Sequence, residues 1–161
     1  NHFSWWDGFW SVWRNEKVFH RVYWFMMLEE QLKKTMFLNK AGGYSVKKGS
    51  RSVAETISYT TNLLSDSRNL VLIFPQGEIS SMHTREFIFE KGIEHIIRRC
   101  ENPVQIVFVA NLIDYFSSPK PGLYMYVREY NGADLSAGGL QDEYNRFFTG
   151  CLSENLKRKD I

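Results

Sequence analysis

No run of about eighteen apolar residues occurs in this chain of 161 residues, so nothing in it reads as a bilayer-spanning helix. Cysteine is nearly absent too. Cys100 and Cys151 are the only two, both in helix-like surroundings without metal-ligand spacing, and free thiols in a reducing compartment are favoured over a disulfide. Neither sign of charge is in excess: 20 Lys and Arg against 18 Asp and Glu leave +2, too little to argue for a nucleic-acid partner. No G-x-S-x-G elbow is present, which disfavours a serine acyl-enzyme. No H-x3-H or C-x2-C spacing supports a metal set built from His2, Asp7 and His83. Internal repeats and low-complexity segments are lacking. The chain starts without Met, so the lack of a legible signal peptide says nothing about targeting.

What is present is one domain's worth of residues, 1–161, enough for a core without staples. Aromatics make up 16% of the chain, and all five Trp fall early: Trp5, Trp6, Trp10, Trp13 and Trp24. Arg14, Lys17 and Arg21 interleave with them. Trp beside basic residues is the mixture favoured at membrane–water boundaries, where the ring sits among head groups. The competing reading is an aromatic core that takes some of them.

Strand-like and helix-like segments alternate. Helices are predicted at 7–19, 29–38, 50–64 (Ser50 as N-cap), 89–99 and 140–157. Strands are predicted at 22–28, 44–48, 70–74, 104–109 and 123–130, with Gly42 and Gly43 breaking the second helix. This alternation implies an α/β fold, a mainly parallel sheet flanked by helices. The apolar run Leu70–Phe74, closed by Pro75 and Gly77, has the form of a central strand ending in a functional loop at the sheet's carboxyl edge.

The opening N-H-F-S-W-W-D places His2 and Asp7 five positions apart. In a regular helix five positions turn by roughly 140°, so the two side chains cannot share a helical face. They meet only if His2 lies in a loop or strand end and Asp7 in the first turn of the next helix, where a carboxylate is favoured. There it accepts from one imidazole nitrogen and leaves the other as a general base. The competing reading is a helix cap beside a surface histidine.

Further motifs follow in order: A-G-G-Y-S-V-K-K, then V-L-I-F-P-Q-G-E-I-S, F-E-K-G, and P-V-Q-I-V-F-V-A-N. Together they resemble the four blocks of the glycerolipid acyltransferase superfamily, the lysophosphatidate acyltransferase (PlsC-like) group. Asn1, His2 and Asp7 match the first block, N-H-x4-D, in full. Val46, Lys47 and Lys48 match the second, with Lys48 in place of Arg. Phe74, Pro75, Gly77 and Ser80 match the third, F-P-E-G-T-R-S, while Gln76, Glu78 and Ile79 depart from it. Phe89 and Gly92 match the F-K-x-G that follows, with its Lys displaced to Lys91. The fourth block lacks its usual proline. Because relatives carry upstream residues, the chain reads as a catalytic segment whose N-terminal portion is absent.

The resemblance implies a membrane-associated acyltransferase of phospholipid biosynthesis, working at the cytoplasmic face. The acyl chain would pass in one displacement from a thioester on coenzyme A or acyl carrier protein to a hydroxyl of a lipid-like acceptor. No cofactor beyond this co-substrate is implied. His2 would be the base and Asp7 its orienting partner, with Lys48, Arg51, Phe74, Pro75, Gln76, Gly77, Ser80 and Lys91 binding substrate. In the family the third-block Arg binds the acceptor's phosphate, a task suited to guanidinium; here Ile79 stands there beside Glu78. Either Lys48, Arg51 and Arg85 replace that cation or the acceptor carries no phosphate, and the second is the expectation. Two rivals remain: a non-catalytic lipid-binding module, and a hydrolase that uses water in the same pocket.

Overall fold

Residues 1–47 and 49–158 are described by a computed structural model. Helix α1 (Asp7–Arg14) runs on into a π-helical turn, Asn15–Phe19. His20 stops it in a left-handed conformation, φ 52°, with its N–H on the Asn15 carbonyl. Strand β1 (Val22–Leu28) has the predicted bounds, because a continuous run of β-branched, aromatic and Met residues suits a strand covered on both faces. It is the middle of a parallel sheet ordered β2-β1-β3, with β2 at Gly43–Val46 and β3 at Asn69–Leu72. Phe25 lies opposite Gly43, and Val22 opposite Asn69.

Parallel neighbours require crossovers. Between β1 and β2 the chain makes α2 (Glu29–Lys34) and α3 (Phe37–Lys40) where one helix is predicted. Thr35 interrupts it: its hydroxyl donates to the Gln31 carbonyl at 2.8 Å and its backbone leaves the helical region. Gly42, at φ 94°, then turns the chain so tightly that a Cβ there would collide with the Tyr23 carbonyl oxygen. Helix α4 (Ser52–Leu64) links β2 to β3 and starts two residues later than predicted; Ser50 Oγ still accepts from the Ser52 N–H at 3.2 Å.

Past the loop after β3 come α5 (Gly92–Arg99) and an antiparallel hairpin of β4 (Ile106–Asp114) and β5 (Gly122–Tyr130). The last helix, α6 (Ala137–Leu156), begins three residues before its predicted start, capped by Ser136 Oγ accepting from the Gly139 N–H at 3.0 Å. A core of Phe87, Phe108, Leu140, Tyr144 and Phe148 packs hairpin and α6 together, with Phe87 edge-on to Phe148. Both cysteines are free thiols, and burial pushes Cys151 up to about 11. Among the described residues no helix is long and apolar enough to cross a membrane.

Candidate active site

Asn1, His2 and Phe3 precede the first helical turn, and Asp7 is the first residue of α1. This is the loop-then-helix arrangement that the five-residue spacing demands. His2 Nδ1 lies 3.0 Å from Asp7 Oδ2, and the carboxylate is wholly buried. The same oxygen accepts from the Phe3 and Ser4 N–H groups, each at 2.8 Å. These donors fix the carboxylate, and the carboxylate fixes the ring. Asp7 Oδ1 has no hydrogen-bond partner among the described residues.

The ring has a second support. It stacks on Phe74, with centroids 3.9 Å apart and planes 16° from parallel. Phe74 arrives there because the apolar strand β3 runs directly into the loop that carries the third motif.

That loop also grips the His2 backbone. Gln76 is buried; its Oε1 accepts from the His2 N–H at 2.9 Å and its Nε2 donates to Ser80 Oγ at 3.0 Å. The Ser80 N–H in turn donates to the His2 carbonyl at 2.9 Å. Gly77 takes φ 68°, which closes a turn onto the Phe74 carbonyl and lets the loop double back.

Asn1 ties the motif to the hairpin. Its side-chain amide donates to the Asn111 carbonyl at 2.9 Å and accepts from the Asn111 N–H at 2.7 Å. Its main-chain nitrogen donates to the Val109 carbonyl and the Tyr144 hydroxyl. The Tyr144 hydroxyl donates to Val109 as well, and burial drives its phenol far above the ordinary tyrosine value.

His2 forms part of the wall of a cavity of about 710 Å³, within the roughly 300–1,000 Å³ common for small-ligand sites. The wall is mostly apolar: Trp5 from the turn before α1, Phe9 and Val12 from α1, Phe25 to Leu28 from β1, Val53 and Ile57 from α4, and Ile93 and Ile96 from α5. With Nδ1 engaged by Asp7, Nε2 is the nitrogen left for a ligand in this space. Among the described residues no Lys or Arg lines the cavity, whereas Glu78 and Ile79 do, both exposed.

The remaining sequence-derived candidates divide by position. Phe74, Pro75 and Gly77 line the cavity; Gln76 and Ser80 are turned toward the His2 backbone instead. Arg51 and Lys91 are exposed at the starts of α4 and α5 and are not part of the cavity wall. Lys48 lies outside the described residues. Sequence reasoning missed most of the wall, including Gly8, Ile93 and Ile96. The spacing of Ile93, Ile96 and Ile97 along α5 is the signal that could have revealed part of it.

The fold and site together are an α/β layer with a histidine, held by a buried carboxylate, in the wall of a mostly apolar cavity. The chain belongs to the Acyltransferase family, whose model matches residues 1–110. That span holds α1, both parallel pairings, the Gln76 loop and the first half of β4. Comparison with curated proteins and with solved structures returns no match.

Proposed function

We propose that this acyltransferase moves a fatty acyl chain from an acyl thioester, on coenzyme A or acyl carrier protein, to a hydroxyl of a membrane lipid. The observation that carries the reading is the His2–Asp7 pair at the wall of the 710 Å³ apolar cavity. His2 Nε2 takes the acceptor's proton as its oxygen attacks the thioester carbonyl. The tetrahedral oxyanion collapses, the C–S bond breaks, and the imidazolium returns the proton to the thiolate, releasing free thiol. Asp7 keeps Nδ1 protonated and stabilises the transient imidazolium without taking the proton. A positioned base of this kind is worth roughly 10²–10⁴-fold.

The apolar wall suits an acyl chain. The exposed aromatics of α1 and its N-cap support a membrane partner: Trp6, Trp10 and Trp13 are 60%, 42% and 52% exposed, at helical spacing on one side. Trp24 is partly buried and donates to Asn69 Oδ1 at 3.1 Å. Arg14 turns inward to the Met125 carbonyl, while Lys17 and Arg21 are exposed, the Arg21 guanidinium donating to the Ser67 carbonyl. The mouth, with Glu78 on its wall and no Lys or Arg there among the described residues, supports an acceptor without a phosphate.

Incubation of the purified chain with acyl-coenzyme A, with and without lipid extract, tests this. Thiol release that requires the acceptor, and that His2→Ala abolishes, is the expected result. Release without acceptor indicates a hydrolase, and saturable lipid binding without turnover a binding module.

A further inference from the structure

Met36 and Phe37 are 71% and 64% exposed at the corner between α2 and α3. A single exposed apolar side chain needs no explanation, but two adjacent large ones at a corner do. They stand between Lys33 and Lys34 on one side and Lys40 on the other, all exposed; Lys33 is paired with Glu29 at 3.0 Å. An apolar tip ringed by lysines fits one kind of surface, in which apolar side chains enter the acyl region and ammonium groups stay among anionic head groups.

This corner borders the cavity. Gln31 and Ala41, both exposed, line it together with the buried Leu38. From another wall, Trp5, just before α1, and Phe9, within it, line the cavity while remaining 37% and 39% exposed. The rim therefore runs between two elements that each present apolar side chains outward, Met36 and Phe37 from one, Trp6, Trp10 and Trp13 from the other.

We propose that the Met36–Phe37 corner is a second membrane anchor, seated in an anionic bilayer. With the aromatic face of α1 it places the cavity mouth against the lipid, so that the acceptor passes from the bilayer into the cavity without crossing water. The passage rests on the reading of the site as a lipid acyltransferase; the anchor does not.

Binding and turnover are therefore measured separately. Met36→Glu with Phe37→Glu, and Lys34→Glu with Lys40→Glu, are compared with the unaltered chain by co-sedimentation with vesicles of phosphatidylcholine containing phosphatidylglycerol. Both pairs lie at exposed positions, so melting curves should coincide with the parent's. The apolar pair is expected to lose at least tenfold in vesicle affinity. The lysine pair is expected to lose a similar factor at low salt and little at high salt, where screening shortens the reach of its charges. Turnover on a bilayer acceptor should fall in parallel for the apolar pair, while turnover on a short-chain acceptor dissolved as monomers stays within twofold. Unchanged vesicle binding by the apolar pair overturns the anchor. So does a dimer of the parent chain that the apolar pair dissociates without loss of vesicle binding, which would mean that a second copy covers the corner. If vesicle binding falls as expected but no acceptor is acylated by any form, the anchor stands and the passage is overturned.

Discussion

The imidazole of His2 lies face to face with Phe74, 3.9 Å between centroids, with the two planes only 16° apart. Asp7 fixes the ring within its plane, and Phe74 fixes the plane itself. A ring held in both ways needs no search for its working orientation once a ligand arrives. Phe74→Ala removes only the second restraint. It should lower kcat several-fold while the ring stays paired with Asp7, a change measurable by steady-state turnover and by the imidazole nitrogen resonances.

Removal of the base should be far more costly. His2→Ala should reduce turnover by roughly 10²–10⁴-fold, with an unchanged melting curve, because Asp7 Oδ2 keeps its two backbone donors. Asp7→Asn should also lose most of the rate. Its amide, if it donates to Nδ1, selects the wrong tautomer. Wild-type turnover in either variant would end the assignment.

Gln76 should behave as a positioning residue. Gln76→Ala leaves the His2 N–H without its acceptor at 2.9 Å, and an unsatisfied buried donor costs about 1–3 kcal/mol. The variant should melt earlier and lose kcat with KM little changed, since Gln76 is not part of the cavity wall. A KM effect alone would make it a substrate contact.

These side chains also show which parts of the structure the sequence discloses. The His2–Asp7 pair was legible because one spacing admits one local geometry, and β1 because its apolar run has sharp ends. The clamp made by Gln76 was not, since its partners are 74 and 4 residues away and only the doubling back of the loop joins them. The break at Thr35 was hidden by good helical charge pairing on its N-terminal side, of which Glu29–Lys33 forms. The start of α6 was hidden by Gly138 and Gly139, whose low helix propensity masks a well-capped first turn. Arg51 and Lys91 have the right chemistry for an anion, but charge alone carries no information about which way a helix start faces.

The acceptor is tested at the mouth. With Glu78 and Ile79 on the wall and no described Lys or Arg there, lysophosphatidate and glycerol phosphate should be poor substrates compared with neutral, glycosidic or zwitterionic hydroxyl lipids. Ile79→Arg combined with Glu78→Thr should raise phosphate use. Saturable, efficient acylation of lysophosphatidate by the unaltered chain would contradict this, and alanine variants of Lys48, Arg51 and Arg85 would then locate the cation.

Chain length is tested at Gly92. It lines the cavity, and a Cβ built on it meets nothing within 4 Å. Gly92→Leu should therefore be accommodated in the fold, project into the open space and move the preferred acyl chain to shorter lengths in a competition assay. Unchanged preference would put the acyl chain elsewhere.

Alkaline pH should unfold the protein through its buried phenols. Burial pushes Tyr44 up to about 12 and raises Tyr23 and Tyr144 as well. The folded state then holds protons that the unfolded chain releases near pH 10, so stability is intact below about pH 10 and falls as pH climbs past it. Tyr44 alone accounts for about 2 kcal/mol by about pH 12. Urea midpoints from about pH 9 upward should drop, and less steeply in Tyr44→Phe.

The pairing of Asn1 with Asn111 has a consequence for how the protein comes into being. Through Asn1 and His2 the first motif closes loops of 110 and 74 residues. Loop closure costs entropy before it returns contacts, so these junctions form when little of the chain remains loose. A nascent or half-folded molecule with β4 out of place has the base in its sequence but not in working position. Onset of turnover during refolding should therefore trail the recovery of helical signal and coincide with docking of the hairpin, which makes the reaction itself a sensor of complete assembly.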